Sequence, residues 1–178
     1  ASPLYYSNML KILLFFVVLS LPLAAQEEWL INVDDDGTKV WVERNGQVTH
    51  GDKLRYLFAK DGCDVIQEIF TFYTMANNEN TESLKGRVLG LMINDHQVGA
   101  EVMFALPFLS GHSVWFNLGH YYVDDHIAYW HDTKLYEVKI ADNKNFKAND
   151  YFDIRVNAWN MVDFAKTLRA GQKKCQSL

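Results

Sequence analysis

The chain has 178 residues, with 17 Lys+Arg against 22 Asp+Glu for a formal net charge of −5; it is 49% hydrophobic and 14% aromatic. That length fits one domain with a sizeable core, and the mildly acidic, evenly spread charge lacks the basic stripe that nucleic-acid binding requires. Three prolines and ten glycines exclude a low-complexity linker or a collagen-like chain.

Residues 1–8 carry no charge and read as upstream of a leader that starts at Met9. Met9-Leu10-Lys11 is followed by an apolar run from Ile12 to Leu23, then Ala24-Ala25 and the polar Gln26-Glu27-Glu28. A positive start, a short apolar stretch and small residues before a polar segment form a signal-peptide pattern over residues 9–25. The run falls short of the roughly 18 apolar residues that a membrane span needs. Cleavage after Ala25 leaves residues 26–178, with a net charge of −6 once Lys11 is gone and no apolar stretch able to span a bilayer. No cysteine follows the cleavage point, so the leader is not of the lipoprotein kind. The chain is expected to be periplasmic or secreted.

The body reads as strands. Asp34-Asp35-Asp36-Gly37 supplies a turn before Lys39–Glu43, and Lys53–Phe58 and Val65–Tyr73 follow, the last rich in β-branched and aromatic residues. A polar loop over 76–83 separates two halves. Arg87–Ile93 and Gln97–Phe104, joined through Asn94-Asp95-His96, predict a β-hairpin. His112–Phe116, Ile127–Trp130 and Lys134–Ile140 are further strand candidates, with Asp124-Asp125 read as a turn. Phe152, Ile154 and Val156 alternate in a last strand. Asn160 then caps a helix of about three turns carrying Met161, Phe164, Ala165 and Leu168 on one face, and Gly171 supplies its stop. The expected fold is mostly β: a single antiparallel sandwich, or a barrel-like form, with one short C-terminal helix.

Export changes how the two cysteines read. An even count in an oxidising compartment points to a disulfide between Cys63 and Cys175. Cys63 sits between Asp61 and Asp64, whose carboxylates disfavour a thiolate and so make it a poor nucleophile. The bridge would pin the C-terminal segment to the body.

The residues that could carry chemistry are few. His112, His120, His126 and His131, with Asp124, Asp125 and Asp132, form a local excess of groups that metals prefer. His120, His126 and His131 are the candidate ligands, but they stand six and five residues apart and match no metal motif, so solvated histidines at loops and strand ends are the expectation. Asp34 to Gly37 fails as a calcium loop because its twelfth position is Asn45. Gly111-His112-Ser113-Val114-Trp115 lacks the second glycine of a nucleophile elbow. No phosphate-binding or dinucleotide fingerprint is present, so no cofactor is expected. Of the five tryptophans, Trp41, Trp115, Trp130 and Trp159 lie in strand or helix candidates, where filling the core is the default. The doublet Tyr121-Tyr122 must turn one ring outward in a strand. Trp115, Tyr121, Tyr122 and Trp130 are therefore the candidate ligand-binding residues.

The leader, the Asp61-Gly62-Cys63 element, the Phe152–Val156 strand and the segment from Met161 to Cys175 together have a layout similar to invasion-associated locus B proteins and to small accessory proteins of type VI secretion. The match rests mainly on about the last 25 residues and on Cys63. The resemblance implies a non-enzymatic periplasmic accessory role with no catalytic residues to carry over. The leading expectation is thus an exported protein that binds a protein or cell-envelope component. A carbohydrate-binding module using exposed Trp and Tyr, and a secreted metal-dependent enzyme built on the three histidines, are the alternatives.

Overall fold

The computed structural model describes residues 28–49, 51–75 and 80–178. The leader over 9–25, residues 1–8 and part of the polar loop lie outside them. The elements run β1 (Leu30–Val33), β2 (Lys39–Asn45), β3 (Lys53–Ala59), β4 (Val65–Thr74), β5 (Val88–Ile93), β6 (His96–Phe108), β7 (Gly111–Tyr122), α1 (Val123–Trp130), β8 (Leu135–Ile140), β9 (Val156–Asn160) and α2 (Phe164–Gln176). All nine strands join one antiparallel sheet in the order β1-β2-β3-β4-β7-β6-β5-β8-β9. The fold is mostly β with a C-terminal helix, as expected. Instead of two sheets face to face, the single sheet curls into a half-barrel.

Alternation along the strands builds the core on the inner face. Val40 and Val42, Leu54, Tyr56 and Phe58, and Ile66, Phe70 and Phe72 are all fully buried and point the same way from β2, β3 and β4. Across the sheet, Phe70 lies opposite Phe116 and stacks on it at 4.8 Å, while Phe72 meets Phe116, Phe152 and Trp159 edge-on. The β5–β6 hairpin forms as predicted, with Asn94 and Asp95 at φ 44° and 70°; positive φ at both central positions is what a type I′ turn needs. β1 was not anticipated, because its four residues are all exposed and it is an edge strand held by pairing with β2.

Two segments depart from the sequence expectation. Asp124-Asp125 and Ile127–Trp130 form α1 rather than a turn and a strand. Val123, His126 and Trp130, spaced three and four residues apart, are its buried face, and the two aspartates sit in the first turn, where the helix dipole favours them. At the C-terminus, Asn160 ends β9 and does not cap α2. Sheet pairing wins here, since Trp159 lies opposite Tyr136 and both are fully buried. Asn160 instead accepts a hydrogen bond from the Val162 amide at 2.8 Å, and the helix starts after Asp163, at φ 60°. Of the expected Phe152–Val156 strand only Val156 lies in β9, while Phe152 is buried from a loop.

Gly171 lies inside α2 and does not stop it. The buried face of the helix reads Phe164, Leu168, Gly171 and Cys175, and it crosses β2 and β3. A Cβ at position 171 would collide with Val42 and lie 3.0 Å from the Phe58 ring. Gly171→Ala should therefore lower stability by up to about 2 kcal/mol: overpacking typically costs about 1–3, against about 1 gained in helix propensity. Chemical denaturation of the two proteins measures the difference, and a more stable variant would show that the helix can move away from the sheet.

The loop between β2 and β3 reaches across to β9. Gln47 donates its amide to the Ala158 carbonyl at 2.8 Å, and Asn157 accepts from the Val48 amide at 3.0 Å. Asp52, 1% exposed, accepts from Asn157 Nδ2 at 2.9 Å and from the Tyr73 amide at 2.6 Å. Burial pushes its carboxyl up to about 6, against the pull of those two hydrogen bonds. Between the ordinary value of 3.8 and about 6, the folded state therefore holds a proton that the unfolded chain has released. This group's contribution to stability is present below about pH 4 and falls by on the order of 2–3 kcal/mol as pH rises to about 6. Asp52→Asn should remove that slope, seen as the difference between wild-type and variant urea midpoints across this pH range.

Candidate functional site

Strand β4 places Ile66, Glu68, Phe70 and Phe72 on one face by simple alternation, and so turns a carboxylate into an aromatic interior. Glu68 is 3% exposed. The Tyr56 hydroxyl, from β3, donates to its Oε1 at 3.3 Å. His126, from the buried face of α1, brings Nε2 to 3.6 Å from the same oxygen. Tyr136, opposite Trp159 at the far side of the sheet, is fully buried. Neither His126 Nε2 nor the Tyr136 hydroxyl makes a hydrogen bond of ordinary geometry, although both interact with the Glu68 carboxylate. Such poorly satisfied buried groups are uncommon in folded proteins and costly, which marks this place for an explanation.

Rings surround the imidazole. Tyr121 stacks on His126 at 5.0 Å, while Tyr56, Phe164 and Trp130 approach its ring at 5.3, 5.9 and 6.3 Å. Burial, and then the Glu68 carboxylate, push the phenols of Tyr56 and Tyr136 well above their ordinary value. The same two causes raise Tyr121. The Tyr56 hydroxyl donates to Glu68, and the Tyr121 hydroxyl to the Leu118 carbonyl at 2.9 Å.

Above these groups opens a pocket of about 440 Å³, between α1 and the inner face of the sheet. Glu68, His126 and Tyr136 supply its polar atoms. Tyr121, Tyr129 and Trp130 supply its rings and Ile93, Val98 and Leu118 its aliphatic walls, with His96 and Asp125 also in the lining. The volume is within the range of small-molecule sites, as is the combination of apolar walls with a few convergent polar groups.

The structure brings together some of the candidate residues and separates others. Tyr121 and Trp130 line the pocket. Tyr122, just before α1, is 65% exposed and outside the pocket lining, and Tyr121 is 38% exposed. Trp115 lies on the outer face, beside Trp41, in a shallow cleft with Asn32, Glu43 and Arg55. The Arg55 guanidinium already covers one face of the Trp115 ring at 4.3 Å and pairs with Glu43 at 3.1 Å. Burial lowers Arg55 from its ordinary value, opposed by Glu43.

The three histidines do not converge. His120 is on β7 opposite Gln67, His126 is buried in α1, and His131 is exposed after that helix, where it contacts Asp132 and the Ala128 carbonyl. Among the described residues no group of three or more His, Cys, Asp or Glu could hold a metal ion. His126 thus departs from the expectation of solvated histidines: its spacing from Val123 and Trp130 turns it inward. Glu68 and Tyr136 were absent from the sequence candidates. The phase of β4, a carboxylate in step with Ile66, Phe70 and Phe72, was the available signal for Glu68.

Cys63 and Cys175 form the expected disulfide, with Cα atoms 5.7 Å apart, tying the end of α2 to the β3–β4 connection. Among the described residues no helix is long and apolar enough to cross a membrane. Compared with family models, curated proteins and solved structures, the chain matches none.

Proposed function

We propose that the protein acts by binding, without catalysis, and that its half-barrel takes a small, largely apolar component of the cell envelope in the pocket beneath α1. One observation carries this reading: two buried polar atoms that make no hydrogen bond of ordinary geometry, His126 Nε2 and the Tyr136 hydroxyl, share the lining of an aromatic pocket with the buried Glu68 carboxylate. A ligand that supplies hydrogen bonds there would remove an energetic cost that the empty pocket carries. The hydroxyls in the lining are phenolic and belong to Tyr121, Tyr129 and Tyr136, which favours binding over nucleophilic chemistry.

The disulfide supports a periplasmic or secreted location, and the leader pattern over 9–25 points the same way. The reading keeps the accessory role implied by the similarity to invasion-associated locus B proteins. A carbohydrate module is less well served, because Arg55 occupies the Trp115 face on which a sugar would stack. A metal-dependent enzyme would need the three histidines to meet.

The test uses 1-N-phenylnaphthylamine, a neutral apolar fluorophore. Its emission should rise and saturate with the wild-type protein. Val98→Trp, which fills the pocket from β6, should weaken binding by about tenfold or more while the protein stays folded, the loss expected when a buried contact worth 1.4 kcal/mol is removed. Unchanged binding to a folded Val98→Trp protein would overturn the assignment.

A further inference from the structure

The pocket is one-sided in charge. Its lining holds the carboxylates of Glu68 and Asp125 together with His96 and His126, and neither lysine nor arginine. An anionic ligand group would meet Glu68 in a water-poor site with no fixed cation to balance it, where like charges repel far more than in water. A carboxylate can accept up to about four hydrogen bonds; the Tyr56 hydroxyl reaches Glu68 at 3.3 Å, while His126 Nε2 at 3.6 Å and the Tyr136 hydroxyl also interact with it without a hydrogen bond of ordinary geometry. An ammonium group is the complement, since it brings three donors and no acceptor. Tyr121, Trp130 and Tyr136 are in the same lining, and aromatic rings attract such a cation through their negative π faces.

Position narrows the source. Glu68 is 3% exposed, at the inner end of the pocket, whereas the amine of a bilayer lipid is held at a surface. A free amine on a small apolar body reaches it, with that body against Ile93, Val98 and Leu118.

Building on the pocket reading above, we propose that this site selects a small organic cation, an ammonium group on an apolar body, with the ammonium seated between Glu68 and the surrounding rings.

The experiment compares three compounds that share one apolar body, 2-phenylethylamine, 2-phenylethanol and 3-phenylpropionate, by isothermal titration of the full chain near neutral pH. The amine should bind about tenfold or more tightly than the alcohol, the difference expected for a charge-assisted over a neutral hydrogen bond, and the carboxylate least of all. Glu68→Gln should remove most of the amine's advantage and leave the alcohol's affinity within about threefold. If that variant fails to fold, the wild-type ranking decides alone. The proposal is overturned if the alcohol or the carboxylate matches the amine, or if the amine's advantage survives in a folded Glu68→Gln protein. The pocket reading can survive that outcome: should 1-N-phenylnaphthylamine bind and be lost in Val98→Trp while the amine shows no preference, only the cation assignment falls. If neither the fluorophore nor the amine binds, both fall.

Discussion

Replacing Cys63 and Cys175 together with alanine should lower the free energy of unfolding by about 2–5 kcal/mol, the usual cost of removing a native disulfide from a small domain. The bridge spans a sequence separation of 112, and in the chain-entropy account a loop of about 100 residues contributes roughly 4.7 kcal/mol by restricting the unfolded chain. The remaining contacts of α2 are those of a packed helix: Phe164 and Leu168 are buried, and Gln172 donates to Asp64 at 2.9 Å. The variant should therefore fold to the same structure, with the loss appearing in the unfolding midpoint. Urea denaturation of the wild type with and without reductant, beside the double variant, measures it. Coincident curves for oxidised and reduced wild type would show that the bridge adds nothing to stability.

A loss of similar size, about 3–5 kcal/mol, is expected for Phe70→Ala. Phe70 is fully buried, stacked on Phe116 at 4.8 Å and in contact with Phe72 and Trp159. These rings come from β4, β7 and β9, so the cavity would open where the two halves of the curled sheet meet. Three large rings around it cannot collapse inward without leaving their own contacts, which puts the cost toward the upper part of the range. Phe70→Leu should cost less. Chemical denaturation at a constant m-value checks both, and a cost under about 1.5 kcal/mol for the alanine variant would mean that the core rearranges to fill the space.

The parts of the fold legible in the sequence were those governed by local patterning. β2, β3, β4, the β5–β6 hairpin and β8 all show alternation, and the Asn94-Asp95 turn announces its hairpin. The disulfide followed from the leader pattern and an even cysteine count. What escaped depends on long-range competition. Ile127–Trp130 has strand-like composition, yet the spacing of Val123, His126 and Trp130 is helical, and the inner face of the sheet rewards that spacing by burying them. Asn160 is a good cap residue, but Trp159 is worth more in the sheet beside Tyr136 than in the first turn of a helix. β1 carries no periodic signal because neither of its faces is buried. Curvature was only partly legible: the register is irregular at Glu68/Ile69, where Gly119 at φ 124° sits opposite Glu68 inside β7, and at Val102/Phe104, where no glycine marks it.

The site was half legible. Tyr121 and Trp130 were among the ligand candidates and His126 among the metal candidates, and all three line one pocket, where His126 stands apart from the other two histidines. Glu68 and Tyr136 were invisible as a pair. They are 68 residues apart in sequence, and nothing local places a β4 carboxylate near a β8 phenol. The outer strip at the β6–β7 turn belongs to a different surface: Phe104, Leu106, Phe108 and Leu109 are all exposed, Leu109 to 86%. An apolar probe could also settle there, which is why the location of binding matters more than its occurrence.

The most direct measurement is therefore a proton–nitrogen correlation spectrum of labelled protein titrated with 1-N-phenylnaphthylamine. Binding in the half-barrel predicts that the Trp130 indole N–H and the backbone amides of Tyr121, His126 and Tyr136 shift with one common saturation curve, while the indoles of Trp41 and Trp115 stay in place. Shifts confined to Trp41 and Trp115, or to the β6–β7 turn, would contradict a ligand site beneath α1.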